Sequence, residues 1–232
     1  MSKAALIVGA GSGISASFAR LLAREGYRVA LAARNTEKLA ALCSTTGARA
    51  YACDATSAED VAALFDACGK DVGPPDVVLF NASARARGPV VDLVAADVAR
   101  AVAVSALGGF HVAQAAARCM LPRGTGTILF TGASASVKGY AESAPFAMAK
   151  FALRGLAQSM ARELAPKGIH VAHFVIDGGV RNAATGRLEG ADDRPDRWLD
   201  PDAIAETYLH VVNQPRSAWT WEIELRPWVE RF

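Results

Sequence analysis

Short apolar runs alternate along the chain with longer segments in which apolar residues recur at helical spacing. Several of the short runs are apolar at successive positions, which is typical of strands covered on both faces. The predicted strands are 4–8, 28–33, 48–53, 77–80, 126–131, 169–176 and 219–225. The predicted helices are 12–25, 36–45, 57–71, 96–120, 145–165 and 201–213. This alternation predicts repeated βαβ units and one doubly wound α/β domain over residues 1–232, with a parallel sheet of about seven strands and helices on both faces.

Two segments depart from this alternation. Residues 178–200 carry several Gly, Asp and Arg residues and form the longest irregular stretch. A loop of that length in a compact domain is usually functional, so we predict a lid or substrate loop there. Residues 215–232 contain Trp219, Trp221 and Trp228. This aromatic density predicts a seventh strand followed by a tail that packs on a partner subunit, in a homodimer or homotetramer.

The composition argues against several classes of function. The chain has 232 residues, is 52% hydrophobic and has a formal net charge of +2, with basic and acidic residues intermixed. This distribution offers no basic surface to nucleic acid, and no apolar run approaches the roughly 20 residues of a membrane span. The first strand begins almost at the N-terminus, so we expect no signal peptide and a cytoplasmic location. The cysteines lack metal-ligand spacing, so we expect reduced thiols and no metal at Cys43, Cys53, Cys68 and Cys119.

A glycine-rich turn follows the first predicted strand and opens the first helix. It reads Gly9-Ala10-Gly11-Ser12-Gly13-Ile14-Ser15. Glycines at these positions let backbone N–H groups approach a pyrophosphate, and the helix N-terminus adds partial positive charge. Because the turn lies after the first strand of a βαβ series, it predicts a Rossmann-type dinucleotide site. The candidate cofactor-binding residues of the turn are Gly9, Gly11, Ser12, Gly13 and Ile14.

The end of the second predicted strand bears on the choice of cofactor. A site for NAD(H) usually has a carboxylate there that binds the ribose 2′-hydroxyl. This chain instead reads Leu31-Ala32-Ala33-Arg34-Asn35. Arg34 can pair with a 2′-phosphate, and Ala33 places no negative charge against it. We therefore favour NADP(H) over NAD(H), the alternative being that Arg34 is an ordinary solvated residue.

Two more strand ends carry candidate cofactor-binding residues. Asp54 and Ala55 follow the third predicted strand, and Asn81 and Ala82 follow the fourth. Asp54 can accept a hydrogen bond from an adenine amino group, and the small residues let a cofactor lie close. Asp54 could instead cap the next helix, and Asn81 could merely fix a turn. Their common position at carboxyl strand ends favours the cofactor site.

These features together resemble the short-chain dehydrogenase/reductase family over nearly the whole chain. The resemblance also rests on the helix that contains Lys150 and on Gly168-Ile169-His170-Val171, whereas Ser15 replaces the family's third glycine. It implies a nicotinamide-dependent oxidoreductase with an Asn-Ser-Tyr-Lys tetrad. In that scheme Tyr exchanges a proton with the substrate oxygen, Lys lowers the Tyr pKa and binds the nicotinamide ribose, Ser orients the carbonyl, and Asn organises a water relay.

Carried over residue by residue, the tetrad is degenerate here. The motif Phe146-Ala147-Met148-Ala149-Lys150 keeps the lysine but places Phe146 at the tyrosine position. Ala133 stands at the serine position, with Ser134 one residue later, and Ser105 stands at the asparagine position. Phe146 has no ionisable proton, and losing a general acid typically costs about 10²–10⁴ in rate. Other candidate donors are Ser134, Ser136, Tyr140, Glu142 and a water held by Lys150. Tyr140 could instead be a partly buried aromatic residue that shapes the pocket wall, and Lys150 could be a surface lysine that snorkels from an apolar helix face.

Three further residues complete the predicted site. By the same resemblance, backbone groups near Val180 are expected to meet the nicotinamide carboxamide. Arg85 and Arg87 either meet an acidic substrate or are solvated loop residues.

The leading function is an NAD(P)(H)-dependent oxidoreductase of altered activity on an unknown small-molecule carbonyl or alcohol. The alternative is a catalytically inactive NADP(H)-binding sensor or partner subunit. An interaction protein without cofactor is disfavoured by the glycine turn and Lys150.

Overall fold

Seven parallel strands form one sheet in the computed structural model, which describes residues 2–190 and 195–230. The strands are β1 (Ala4–Val8), β2 (Arg28–Ala33), β3 (Arg49–Ala52), β4 (Val77–Phe80), β5 (Gly126–Thr131), β6 (Ile169–Ile176) and β7 (Glu222–Leu225). Their order across the sheet is β3-β2-β1-β4-β5-β6-β7. The chain therefore builds the sheet outward in one direction from β1 and then in the other from β4. In such sheets the crevice at this switch point, outside the carboxyl ends of the strands, binds ligands.

Helices connect successive strands and cover both faces of the sheet. They are α1 (Ile14–Arg24), α2 (Ala40–Thr46), α3 (Ala58–Asp71), α4 (Ala95–Val102), α5 (Gly108–Met120), α6 (Ala144–Leu164) and α7 (Pro201–Val212). A π-helical turn, Ala103–Leu107, joins α4 to α5, so the helix predicted over 96–120 is one continuous helical segment with a wider turn inside it. Turns of this type are frequent at functional sites.

The sheet separates two apolar layers. Along β1, Leu6 and Val8 contribute to one buried cluster and Ala5 and Ile7 to the other, as the two-residue period of a strand requires. The first cluster includes side chains of α3, α5 and α6, and the second includes side chains of α1 and α7. Because both faces are covered, the central strands are apolar at successive positions, which is the pattern that predicted them. The predicted fold class is confirmed.

The C-terminal segment differs from its prediction. The last strand begins at Glu222 instead of residue 219, after a short 3₁₀ turn. Trp219 stacks on His170 with ring centroids 4.6 Å apart, and Arg154 lies over the ring of Trp221 at 5.4 Å. Two of the three tryptophans therefore have ring contacts within the chain, and both remain half-buried. Trp228 is 77% exposed, and the contact of this tail with a partner subunit stays a prediction.

The predicted lid loop is partly described. Its first half folds back on itself through backbone pairing of Asn182 with Arg187, and Val180 pairs with Leu199 at its base. Residues 191–194 of the predicted loop lie outside the described residues. Within the part of the chain that is described, no helix is long and apolar enough to cross a membrane.

Candidate functional site

The glycine turn is packed against the end of β4. Gly9 has φ +84°, a left-handed conformation that glycine adopts without strain. A Cβ at Gly9 would meet the backbone N of Ala82 and lie 2.6 Å from its Cα. Gly11 differs, because nothing lies within 4 Å of a Cβ built there. Gly9 thus lets the turn touch the neighbouring strand end, whereas Gly11 leaves space open toward solvent.

Ser15, the residue that replaces the family's third glycine, connects the turn to Asn81. Its hydroxyl donates to Gly9 O at 3.2 Å and accepts from Asn81 Nδ2 at 2.7 Å, and the side chain is buried. Asn81 therefore fixes the glycine turn, which is one of the two roles considered for it. It also lines the cavities described below, so the second role is compatible with the first.

A cavity of about 300 Å³, here called the β1–β4 cavity, opens at the carboxyl ends of the strands beside the glycine turn. It brings together predicted cofactor residues that are far apart in the sequence: Gly9, Gly11, Arg34, Asp54, Ala55, Asn81 and Ala82. Lys38 also lines it and was missed from the sequence, although it lies four residues after Arg34. The dimensions and the glycine-lined wall fit the adenosine half of a dinucleotide.

The β1–β4 cavity is lined by one acidic residue, Asp54, and by two basic residues, Arg34 and Lys38. Asp54 accepts hydrogen bonds from Thr56 N at 2.9 Å and Thr56 Oγ1 at 2.8 Å. These bonds, with a smaller effect of Arg34, hold the pKa of Asp54 below its ordinary value, so it is a carboxylate at neutral pH. The helix cap is Ser57, which excludes the capping alternative for Asp54. Among the described residues, no carboxylate lies within 4.0 Å of a cationic nitrogen of Arg34 or Lys38.

A second space, the glycine-turn cavity, lies over the N-terminus of α1. It measures about 350 Å³, and its lining is Gly11, Ser12, Gly13, Ile14, Ser15, Asn81, Val180, Asn182 and Arg187. Ser12 Oγ donates to Asn182 Oδ1 at 3.2 Å, so the loop after β6 closes this cavity from above. The N-terminus of an eleven-residue helix faces the space, as the binding of a pyrophosphate requires.

A third, smaller space, the Lys150 cavity, continues from the other two. It measures about 150 Å³ and is lined by Ile14, Asn81, Ser83, Arg85, Thr131, Gly132, Ala133, Phe146, Lys150, Ile176, Gly178, Val180 and Arg187. The predicted positions Phe146, Lys150 and Val180 meet here, together with Ala133 from the serine position. Arg187 and Thr131 were not predicted.

Lys150 lies at the buried end of this cavity. Its side chain is enclosed, the residue being 3% exposed, and its Nζ donates to Thr131 O at 2.8 Å. Burial, with a further effect of the positive charge of Arg85, lowers the pKa of Lys150 to about 7. The alternative of a surface lysine that snorkels from an apolar face is therefore wrong.

Phe146 forms a wall of the same cavity and carries a cation on its face. The residue is 8% exposed. The guanidinium of Arg85 lies 4.1 Å from the ring centroid, and Lys150 Nζ lies 5.9 Å from it. The ring that stands at the tyrosine position therefore supports Arg85 by a cation–π contact.

The other candidate proton donors lie elsewhere. Ser136 is fully buried, and its hydroxyl accepts a hydrogen bond from Ala133 N at 3.2 Å. Tyr140 is 46% exposed beneath Lys138, whose Nζ is 5.8 Å from the ring centroid. Ser134 is half-buried and Glu142 is exposed. Within the described chain, the lining of the Lys150 cavity includes none of these four side chains.

Ser105, at the asparagine position, supports the site from behind. It is fully buried in the π-helical turn, and its hydroxyl accepts a hydrogen bond from Ala84 N at 3.1 Å. The contact fixes the segment after β4 that lines the cavities. Among the residues described, Ser105 does not belong to their lining.

The three adjoining cavities fit one extended ligand. Their lining runs from Arg34 past the glycine turn to Lys150, along the switch point between β1 and β4. The wall has no Cβ at Gly9 and Gly11, and a helix N-terminus faces the middle of the run. This arrangement defines a dinucleotide-binding α/β domain.

Comparison with known proteins agrees with this arrangement. The family model described as short chain dehydrogenase matches residues 3–189. An uncharacterized oxidoreductase of Staphylococcus aureus (strain USA300) is 30% identical over 228 residues, which cover 97% of each chain. The chain belongs to the short-chain dehydrogenase family, so the predicted resemblance is confirmed.

Solved structures show the same similarity. A short-chain dehydrogenase from Rhodopseudomonas palustris superposes with a TM-score of 0.83 at 37% identity, covering 97% of this chain and 99% of that one. A variant of the actinorhodin polyketide ketoreductase, solved with NADPH, superposes with a TM-score of 0.88 at 26% identity, covering 97% of this chain and 96% of that one. The seven-stranded sheet with helices on both sides is thus the fold of known short-chain dehydrogenases.

Proposed function

We propose that this chain is an NADP(H)-dependent oxidoreductase that interconverts a carbonyl and an alcohol on a small molecule. The observation that carries the proposal is the continuous lining that joins the cofactor-binding wall to the buried amine of Lys150. A nicotinamide cofactor, when bound, supplies or accepts the hydride. The protein then has to bind that cofactor, exclude water and manage a proton.

The preference for NADP(H) is inferred from the second strand end. Arg34 and Lys38 line the β1–β4 cavity, and the residue at the end of β2 is Ala33 in place of a carboxylate. A 2′-phosphate would gain charge-assisted hydrogen bonds from the two cations, whereas a 2′-hydroxyl would leave both without an anion. Asn81, Asp54 and the glycine turn serve either cofactor.

Lys150 is the group that we propose to exchange the proton. Phe146 and Ala133 line the cavity and have side chains of carbon only, so neither side chain can replace the missing hydroxyls. Thr131 O accepts one proton of the Lys150 ammonium and leaves the others free to reach a substrate oxygen, directly or through a water. Because the pKa of Lys150 is lowered to about 7, the amine gains and loses a proton near neutral pH.

A second function, a catalytically inactive NADP(H)-binding sensor or partner subunit, is favoured by one observation. Both positions that normally present hydroxyl groups to a substrate, 133 and 146, are apolar and buried. A protein that binds the cofactor without turnover needs neither hydroxyl. In that reading Lys150 binds the nicotinamide ribose and transfers no proton.

The proposal of a homodimer or homotetramer rests on an apolar surface. Leu107 and Phe110 are 53% and 42% exposed, and Met148 and Phe151 are 56% and 44% exposed. Each pair is spaced by three residues and therefore shares a helix face. An apolar helix face of this kind is typical of subunit contacts. A cytoplasmic location remains a prediction from the sequence.

Turnover of a broad carbonyl panel with NADPH distinguishes the two functions. We expect slow oxidation of NADPH by wild type with at least one carbonyl, and loss of that rate in Lys150→Met. Phe146→Tyr combined with Ala133→Ser should raise the rate by about 10²–10⁴. If wild type binds NADPH but no carbonyl oxidises it, while the double variant is active, the chain is the inactive binder. Tyr140→Phe serves as the control and should leave the rate unchanged.

A further inference from the structure

We infer that Arg85 and Arg187 bind an anionic group of the substrate, most simply a carboxylate. This inference rests on the proposed function and specifies the class of substrate that the site accepts. The two arginines come from different parts of the chain, the segment after β4 and the loop after β6. Both line the Lys150 cavity, in which we expect a substrate to meet the nicotinamide.

Arg85 is held in a fixed orientation. Its guanidinium stacks on the ring of Phe146 at 4.1 Å, although the residue itself is exposed. A stacked guanidinium keeps its N–H donors at the edge of its plane, available for bidentate binding of a carboxylate. The Phe146 ring, which cannot donate a proton, thus supports a cation beside Lys150.

The charged residues in the described lining of the Lys150 cavity are all basic: Arg85, Lys150 and Arg187. Among the described residues, no carboxylate lines the Lys150 cavity or lies within ion-pair distance of Arg85 or Arg187. The nearby Asp177 is paired with Lys138 at 3.1 Å and does not line the cavity. Partial desolvation of the guanidinium, where it packs on the Phe146 ring, is the main cause that lowers the pKa of Arg85, and repulsion from the positive charges of Arg87 and Arg187 adds to it. A bound anion would relieve this repulsion.

The position of Arg187 permits two sources of the anion. Arg187 also lines the glycine-turn cavity, where a cofactor pyrophosphate would lie, whereas Arg85 lines the Lys150 cavity without lining the other. The shared chemistry is an oxyanion. We assign it to the substrate because the pyrophosphate has the backbone N–H groups of the glycine turn, and because Arg85 lies beside Lys150. From the sequence, Arg85 and Arg87 were the candidates for binding an acidic substrate. Arg87 does not belong to the described lining of the Lys150 cavity, and Arg187 takes its place in the proposal.

Matched ligands test the inference by binding, without need of turnover. Short α-, β- and γ-keto carboxylates and their methyl esters are titrated by calorimetry into the protein saturated with NADPH. We expect at least one carboxylate to bind more tightly than its ester. Arg85→Gln and Arg187→Gln should each weaken carboxylate binding by roughly ten- to a hundredfold and leave ester binding unchanged. Arg24→Gln, an exposed change in the last turn of α1, is the control and should alter neither.

Two results would overturn the inference. One is the absence of any preference for carboxylate over ester in every pair. The other is a loss of NADPH affinity in Arg187→Gln with an unchanged carboxylate preference, which would assign the arginine to the pyrophosphate. If NADPH itself does not bind, the proposed function fails, and the same pairs titrated into the protein alone decide the inference separately.

Discussion

The substitution Gly9→Ala should destabilise the protein, and Gly11→Ala should not, although both add one methyl group to the same turn. At Gly9 the new Cβ would lie 2.6 Å from Ala82 Cα and 2.8 Å from the carbonyl carbon of Asn81. These are backbone atoms of a strand end, so they cannot move aside as a flexible side chain would. Forcing an extra methyl into packed structure costs about 1–3 kcal/mol. A left-handed conformation for alanine costs roughly 1–2 kcal/mol more.

Together these costs give a loss of about 2–5 kcal/mol in the free energy of unfolding for Gly9→Ala. Gly11 has no atom within 4 Å of its Cβ position and no positive φ, so the same methyl there should change stability by less than about 1 kcal/mol. Urea unfolding, followed by tryptophan fluorescence and extrapolated linearly, measures both values. Equal losses in the two variants, or an unchanged Gly9→Ala, would refute the packing described at this turn.

Three further predictions concern the side chains of Lys150, Ser15 and Glu222. The pKa of Lys150 is about 7 in the folded protein and has its ordinary value of 10.5 in the unfolded chain. Between these two pH values the unfolded chain therefore binds more protons than the folded protein. The free energy of unfolding of wild type should rise with pH across this window relative to that of Lys150→Met. Parallel pH profiles of the two proteins would contradict this. Ser15→Ala leaves Asn81 without its partner and should cost about 1 kcal/mol in urea unfolding, whereas an unchanged midpoint would mean that the bond contributes nothing. Glu222→Gln weakens the two-bond contact from Arg154, so amide hydrogen exchange along β7 should accelerate; unchanged exchange would show that the pair does not hold the edge strand.

The fold was largely predictable because its signals are local. Buried parallel strands are mostly apolar at successive positions, and the helices between them show helical spacing. Six of the seven strands were therefore placed to within one residue of their observed ends. The exception is the last strand, where 219–225 was predicted and Glu222–Leu225 is observed. Aromatic density at Trp219 and Trp221 does not reveal whether the rings pack within one chain or between two. That distinction depends on His170 and Arg154, which come from other elements.

The site was predictable where a motif places a residue and not where the fold brings distant residues together. Gly9, Arg34 and Lys150 were predicted because each lies in a recognisable sequence pattern, and the structure places them along one crevice. The candidate donors near the tyrosine position were chosen by sequence proximity, but the 3₁₀ turn Ser134–Ser136 directs Ser136 into the protein. Arg187 was missed because no local pattern shows that the loop after β6 reaches back to the glycine turn.

The central claim is that the cofactor-binding half of the site is intact and prefers NADP(H). Fluorescence titration of wild type with NADPH and with NADH tests it most directly, with Arg34→Gln as the informative variant and Arg24→Gln as the control. We predict saturable binding of both, tighter binding of NADPH, and a preference that falls by roughly ten- to a hundredfold in Arg34→Gln while NADH affinity stays unchanged. Binding of neither cofactor, or equal affinities that Arg34→Gln does not alter, would contradict the account.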